Sequence, residues 1–458
     1  MIEINQVFDR QKEFYNTGKT KNIDFRINNL NKLKKIIKDN ENEIIDALKK
    51  DLGKSPFETY ATEIGMVYDE LNIHIKNIKK WSKPEKKKTP LVHFPGKSYI
   101  YKEPYGVALI IGPFNYPIQL ILSPLVAAIG AGNCAILKPS ENTINTSLLL
   151  EKIINSNFDE GYIKVVSPLG GKEAVSHLLD LKFDYIFFTG SVAVGKIVMK
   201  KAAENLTPIT LELGGKSPCI VDCDAKIELS AKRLVWGKFL NAGQTCVAPD
   251  YLFVHKNIKD KFLQAVIKEI RSQFGDNIKE SADFPRIVNV KTIERFKTYI
   301  NDGDIFFGGS YDEKELYFEP TIITDIKDNS NIMEEEIFGP ILPVLEFENI
   351  NEVIRYVNNK KKPLALYYFS ENKNSIETIL KNTTAGGVTI NDTIIHVASG
   401  YLPFGGVGSS GIGSYHGEAS FNTFTHRKSV IKRGTFMDIK VRYAPYKNKI
   451  NIIKKIMR

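Results

Sequence analysis

At 458 residues the chain exceeds what one ordinary core supports, and two or three domains are expected. A 43% hydrophobic and 25% charged composition is that of a soluble globular protein. The formal charge of +10 raises nucleic acid as a partner, but 63 basic and 53 acidic residues are interspersed along the chain. With no RNA-binding signature, zinc-finger spacing or basic-region zipper to support it, that partner is not expected.

The N-terminus, Met1-Ile2-Glu3-Ile4-Asn5, lacks the basic-then-apolar pattern of a signal peptide. Residues 22 to 50 show helical spacing, with Ile23, Ile27, Leu30, Ile37, Ile44 and Leu48 on or near one face. A second helical pattern runs from about Tyr60 to Trp81, and the basic, proline-containing Ser82 to Pro90 reads as a connector. From Ser98 the pattern changes. Short apolar runs at Val107 to Ile111, Cys134 to Leu137, Tyr162 to Val166 and Tyr185 to Phe188 are mostly separated by helix-length segments, which predicts a parallel sheet with crossover helices. The longest apolar stretch, around Ile118 to Ala131, contains Pro124 and is too short to span a bilayer.

A second alternation follows Glu212, with strands near Ser217 to Val221, Tyr251 to Val254 and Val388 to Ile390, so the boundary between two α/β units falls near residue 212. Cys134, Cys219, Cys223 and Cys246 form no disulfide framework. Cys219 and Cys223 read as two small buried residues of a short strand rather than half of a metal site, and no metal is expected. A reduced, cytoplasmic protein follows. The tail, Tyr446 to Arg458, mixes Lys and Arg with Ile in a basic amphipathic pattern. Such a segment can lie on an anionic membrane, but a short helix docked on the protein or a partner subunit is favoured.

Two glycine motifs invite misreading. Gly190-Ser191-Val192-Ala193-Val194-Gly195-Lys196 fits most of a P-loop, but Ile197 stands where a Mg²⁺-ligating hydroxyl is needed. A phosphate-facing helix N-terminus remains plausible there. Gly406-Val407-Gly408-Ser409-Ser410-Gly411 fits a dinucleotide fingerprint literally. It follows no strand core and lacks the later acidic residue, so it reads as a glycine-rich turn.

Cys246, in Gly243-Gln244-Thr245-Cys246, is a candidate nucleophile, and Glu212, between a short apolar run and Gly214-Gly215, is a candidate base. Taken singly, Cys246 reads more readily as a small buried residue, Glu212 as a solvated strand end and Asn115 as a turn former. Their context separates these readings. Gly112-Pro113-Phe114-Asn115-Tyr116-Pro117, Lys138-Pro139-Ser140-Glu141, Phe188-Thr189-Gly190-Ser191, Glu212-Leu213-Gly214-Gly215-Lys216, the Cys246 segment, Glu335-Glu336-Ile337-Phe338-Gly339-Pro340 and Pro403-Phe404-Gly405-Gly406 occur in one order over nearly the whole chain. In that order they resemble the aldehyde dehydrogenase superfamily. Thr245-Cys246-Val247-Ala248-Pro249-Asp250-Tyr251 and Tyr415-His416-Gly417 resemble its class 3 branch.

The resemblance implies an α/β fold with a Rossmann-like cofactor domain (residues 1–81 and 103–211), an α/β catalytic domain (212–400), a small oligomerisation arm (82–102 and 415–435) and a C-terminal tail (436–458). It implies oxidation of a medium- or long-chain aliphatic or aromatic aldehyde to the carboxylate, and a homodimer. Cys246 would attack the aldehyde, the Asn115 amide and the Cys246 N–H would hold the oxyanion, and Glu212 would activate the hydrolytic water. Lys138 and Glu141 would address the adenosine ribose, Gly190 and Ser191 the pyrophosphate, and Glu336 the nicotinamide ribose, with Phe338 nearby. Glu141 would repel a 2′-phosphate, which implies NAD; Lys138 can offset that repulsion, which leaves NADP open. Two rivals are an acylating enzyme that passes its acyl group to coenzyme A and a non-catalytic binding protein. The first has no need of Glu212, and the second none of the trio. After Ala398 the Asn391 to Tyr401 loop departs from the branch pattern, and His396 in it reads as a packed loop histidine rather than a substrate contact.

Overall fold

The computed structural model describes residues 2–327 and 330–456; Met1 and the end of the tail, Met457 and Arg458, lie outside them. The first four apolar runs build one sheet, because each is buried on both faces and needs a neighbour for every backbone group. Val107–Ile111 is central and pairs in parallel with Cys134–Lys138 and Tyr185–Gly190. Ile163–Val165 and Ile209–Leu213 extend the sheet in parallel on either side. A sixth strand, Gly411–Ile412, returns from near the C-terminus and closes the edge antiparallel to Ile209–Leu213. The crossover helix Gln119–Ala131 is buried along its whole length, which is why its sequence has no polar face.

The second sheet has seven strands in the order Asp304–Phe307, Thr321–Thr324, Ile341–Phe347, Tyr251–His255, Pro218–Val221, Ala365–Phe369 and Gly387–Ile390. All its pairings are parallel except that of the first edge strand.

Three expectations need correction. The helical span 22 to 50 is two helices, Ile23–Asp39 and Glu41–Leu52. The Asn40 side-chain amide donates to the Ile36 carbonyl at 2.7 Å and competes with the helical ladder at the break. Residues 82–90 are more than a connector, since Glu85–Lys87 pairs antiparallel with Lys97–Pro104, which in turn pairs with Thr425–Lys432 in a three-stranded sheet. Cys219 is buried but Cys223 is exposed, because the strand ends at Val221.

The second helical pattern starts earlier than its spacing indicates. Pro56–Thr59, a π-turn over Tyr60–Ile64 and Gly65–Trp81 follow one another, with the Ser55 hydroxyl capping the Glu58 N–H. In the tail a helix spans Ile450–Ile456, with Ile450 and Ile452 exposed rather than packed on this chain. Among the described residues no helix is long and apolar enough to cross a membrane.

Candidate active site

The site forms where the carboxyl ends of the first sheet meet the amino ends of the second. Glu212 sits one residue from the end of its strand, in register with Thr189 on one side and Gly411 on the other. Asn115 lies in the turn that joins Val107–Ile111 to the buried helix Gln119–Ala131. Cys246 comes from the loop that leads into Tyr251–His255. Three elements thus deliver the three expected catalytic side chains to one cavity of about 920 Å³, which Gly190, Ser191, Glu336 and Phe338 also line.

The loop before Cys246 is held under backbone strain. Asn241, Ala242 and Gly243 are consecutive left-handed residues, with φ of 53°, 51° and 74°. At Gly243 a Cβ would stand 2.3 Å from the Gly339 carbonyl oxygen, so the close approach of the two chains requires glycine there. Gln244 anchors the turn, its amide donating to the carbonyls of Asn241 and Arg286 at 3.1 and 3.0 Å while its oxygen accepts the Val288 N–H at 3.0 Å. The Thr245 and Tyr116 hydroxyls meet at 2.6 Å. Such strain persists only where the surroundings over-determine it.

The electrostatics suit a protonated resting thiol and a neighbouring acceptor. Burial pushes the Cys246 thiol well above its usual range, Glu212 and Glu336 add to the shift, and the N–H groups of Cys246 and Val247 pull against it. Burial lifts the Glu212 carboxyl to about 7, against the opposing hydroxyls of Tyr415 and Thr189. The Thr189 hydroxyl donates to one Glu212 oxygen at 3.2 Å, while the other oxygen has no partner among the described residues. A base poised near neutrality is the arrangement that general-base catalysis needs. Asn115 donates one amide hydrogen to the Gln244 carbonyl at 3.0 Å, leaving its second.

In the same cavity Gly190 to Val194 line the wall where helix Val192–Glu204 begins, with Ser191 as its cap. This N-terminus favours a phosphate. The Glu336 carboxylate rests on Gly214 and Gly215: a Cβ on Gly214 would lie 2.0 Å from Glu336 Oε2, and the Gly215 N–H favours the charge. Burial, followed by Asp250, nevertheless raises the Glu336 carboxyl to about 8. Phe338 meets Phe114 edge to face at 5.8 Å. Phosphate-binding N–H groups, a carboxylate acceptor and aromatic walls are a donor set that fits a dinucleotide.

Lys138 and Glu141 stand apart from these. Ser140 and Asn142 between and beside them line the cavity, whereas Lys138 and Glu141 do not. The buried Lys138 ammonium folds back on the Pro139 carbonyl at 2.7 Å and the Glu141 carboxylate at 3.5 Å. His396 is packed: its Nδ1 meets the Thr389 hydroxyl at 2.9 Å, its ring lies beside Tyr367 and Phe404, and burial lowers its pKa to about 4. The Gly406 turn contributes Ser409 to the cavity wall and then the strand that closes the sheet beside Glu212.

Sequence reasoning quoted Thr189 and Gln244 within motifs without giving them work, and missed Lys54, Glu58 and Glu63 behind Asn115 altogether. It also missed that Asp222, Cys223 and His255 bring donor atoms within 4.8 Å of one another. That group lies at the carboxyl edge of the second sheet, away from Cys246, and Asp222 there already accepts the Tyr368 hydroxyl at 2.6 Å.

The model of the aldehyde dehydrogenase family matches residues 3–430. The 4,4'-diaponeurosporen-aldehyde dehydrogenase of Staphylococcus aureus is 50% identical over 453 residues, covering 98% of each chain. A dimeric, NADP-preferring aldehyde dehydrogenase of Rattus norvegicus is 42% identical, covering 97% of this chain and 98% of its own. The solved structure of the substrate-bound state of Staphylococcus aureus AldH superposes with a TM-score of 0.97 at 49% identity, covering 99% of both chains. The chain therefore belongs to the aldehyde dehydrogenase family, and it is an enzyme that oxidises an aldehyde to the carboxylate with NAD or NADP.

Proposed function

We propose that the trio Cys246, Glu212 and Asn115 carries this oxidation through a covalent acyl-enzyme. The Cys246 sulfur adds to the carbonyl carbon, forming a C–S bond and an oxyanion, as the thiol passes its proton to the Glu212 carboxylate, which returns it to solvent before the hydrolytic step. The free amide hydrogen of Asn115 and the Cys246 N–H bind that oxygen. NAD or NADP, when bound, supplies the hydride acceptor that turns the thiohemiacetal into a thioester. Glu212 then takes a proton from water, which attacks the thioester; the C–S bond breaks, and the carboxylate and the thiol are released. The observation that carries this reading is the shared cavity: nucleophile, oxyanion donor and a base poised near 7 line it together with a helix N-terminus.

Gly190, Ser191, Glu336 and Phe338 are the cofactor contacts in this reading, with Lys138 and Glu141 beside the adenosine end. NAD is the favoured cofactor. Residues 1–81 and 103–211 serve as the cofactor domain, 212–400 as the catalytic domain, and 82–102 with 415–435 as the arm of a cytoplasmic homodimer. Two observations support the dimer: the dimeric relative, and exposed Leu91, Phe94, Ile431 and Phe436 in and around the three-stranded sheet. The substrate is a long apolar aldehyde. Supporting this are the apolar side chains Phe114, Leu120 and Phe188 in the cavity wall, beside a relative named for 4,4'-diaponeurosporen-aldehyde.

The test is reduction of NAD and NADP by the purified protein across hexanal, decanal, hexadecanal and benzaldehyde, with Cys246→Ala alongside. Activity should rise with chain length and vanish in the variant. Turnover that survives Cys246→Ala would overturn the covalent route, and equal rates along the series would overturn the substrate class.

A further inference from the structure

Behind Asn115 lies an ion pair sealed from solvent. Lys54 Nζ and Glu63 Oε1 meet at 2.6 Å, and both side chains are 0% exposed. The same ammonium donates to the main-chain carbonyl of Asn115 at 2.9 Å and sits 4.1 Å from the centre of the Tyr116 ring. The other Glu63 oxygen accepts the N–H groups of Ile118 and Gln119 at 2.8 and 3.1 Å. One buried pair therefore grips the turn that carries Asn115 at Asn115 itself and where it enters the helix Gln119–Ala131. A second clamp comes from the nucleophile's side: the Asn241 amide donates to the same Asn115 carbonyl at 2.9 Å, and its main-chain N–H donates to the Glu58 carboxylate at 3.0 Å.

Stability alone gives no reason for charges here. A buried ion pair replaced by apolar residues of similar volume is often neutral or more stable, whereas breaking one partner is costly. What an apolar pair cannot do is donate to the Asn115 carbonyl or accept from the N–H groups three and four residues on.

We propose that Lys54, held by Glu63, is a positioning residue for the oxidation: it fixes the Asn115 main chain so that the amide hydrogen faces the oxygen of the aldehyde attacked by Cys246. This rests on the reading of Asn115 as the oxyanion donor. A displacement of about 1 Å in such a group costs up to roughly a hundredfold in rate.

The experiment is a mutant cycle in the full chain, with turnover of a long-chain aldehyde and thermal unfolding measured for each variant. Asn115→Ala should lower kcat by about a hundred- to a thousandfold. Lys54→Met should lower kcat by roughly ten- to a hundredfold with little change in KM for the cofactor. The double variant Lys54→Met/Asn115→Ala should be no slower than Asn115→Ala. Lys54→Met/Glu63→Leu removes the whole pair and, although it leaves the Ile118 and Gln119 N–H groups open, should recover part of the thermal stability lost in Lys54→Met without recovering kcat; it also stands in if Lys54→Met does not fold. A full rate in Lys54→Met, losses that multiply in the double variant, or a rate restored together with stability in Lys54→Met/Glu63→Leu would each overturn the proposal while leaving Asn115 in its role. A full rate in Asn115→Ala would instead sink the oxyanion reading itself.

Discussion

The two sides of Asn115 are built on opposite terms. Behind it, the Lys54 ammonium and both Glu63 oxygens have partners between 2.6 and 3.1 Å, and no water reaches either side chain. In front, the polar groups are left open: one Glu212 oxygen and the Asn115 side-chain oxygen have no partner among the described residues. Buried polar atoms are normally satisfied, so an unpartnered carboxylate oxygen at a cavity is a place where a ligand or water can bind. Closed bonds give the support its rigidity, and open ones give the cavity its reactivity.

Closing the open side should have the largest effect. Glu212→Gln removes the proton acceptor, and the expected loss in turnover is roughly 10² to 10⁴, with an acyl-enzyme accumulating that mass spectrometry detects on Cys246. In the wild type, the carboxyl near 7 is protonated below that pH, so hydrolysis falls as pH drops through about 7; the variant should lose this limb. The same group has a stability signature. Its folded pKa is raised from 4.5 to about 7, so ionisation penalises the folded state above that range and not below the unfolded value. The penalty is on the order of 3 kcal/mol. Glu212→Gln should therefore raise the unfolding temperature more at pH 8 than at pH 5.

Disturbing the cofactor wall should have a smaller effect. Gly214→Ala places a methyl where the Glu336 carboxylate now lies. KM for the cofactor should rise by roughly ten- to a hundredfold, which a cofactor titration at saturating aldehyde reads directly. Thr189→Val makes the smallest change. It removes a hydroxyl that favours the ionised Glu212, so the pH limb should move alkaline, by up to about one pH unit. A limb that stays put would mean that the Tyr415 hydroxyl by itself supplies the hydrogen bond that opposes burial of Glu212.

Much of the open side was legible in the sequence. Glu212, Cys246, Asn115, Gly190 and Glu336 stand in short segments whose turns and strand ends are encoded locally, and the apolar runs of the first sheet announce themselves by burial on both faces. The second sheet was only half visible. Ile341–Phe347 is a central strand that contains Pro343, a residue that argues against such a position. The closed support was not legible at all. Lys54 lies in the loop before Pro56–Thr59, Glu58 in that helix and Glu63 in the π-turn after it, and their partners Asn115, Ile118 and Asn241 lie about 50 to 180 residues away. No local pattern records a contact of that range. Lys138 and Glu141 show the converse: a segment that fits its motif can still turn its side chains to each other.

The strand that closes the first sheet beside Glu212 arrives late. Gly411–Ile412 is synthesised roughly 200 residues after Leu213, a delay of about 10 to 40 s at common translation rates. Until then the nascent chain carries the strand of Glu212 as a bare edge, open to pairing with any extended peptide. A ribosome stalled anywhere in the second sheet holds an unfinished, adhesive half-molecule, and chaperone occupancy on this transcript should concentrate in that interval.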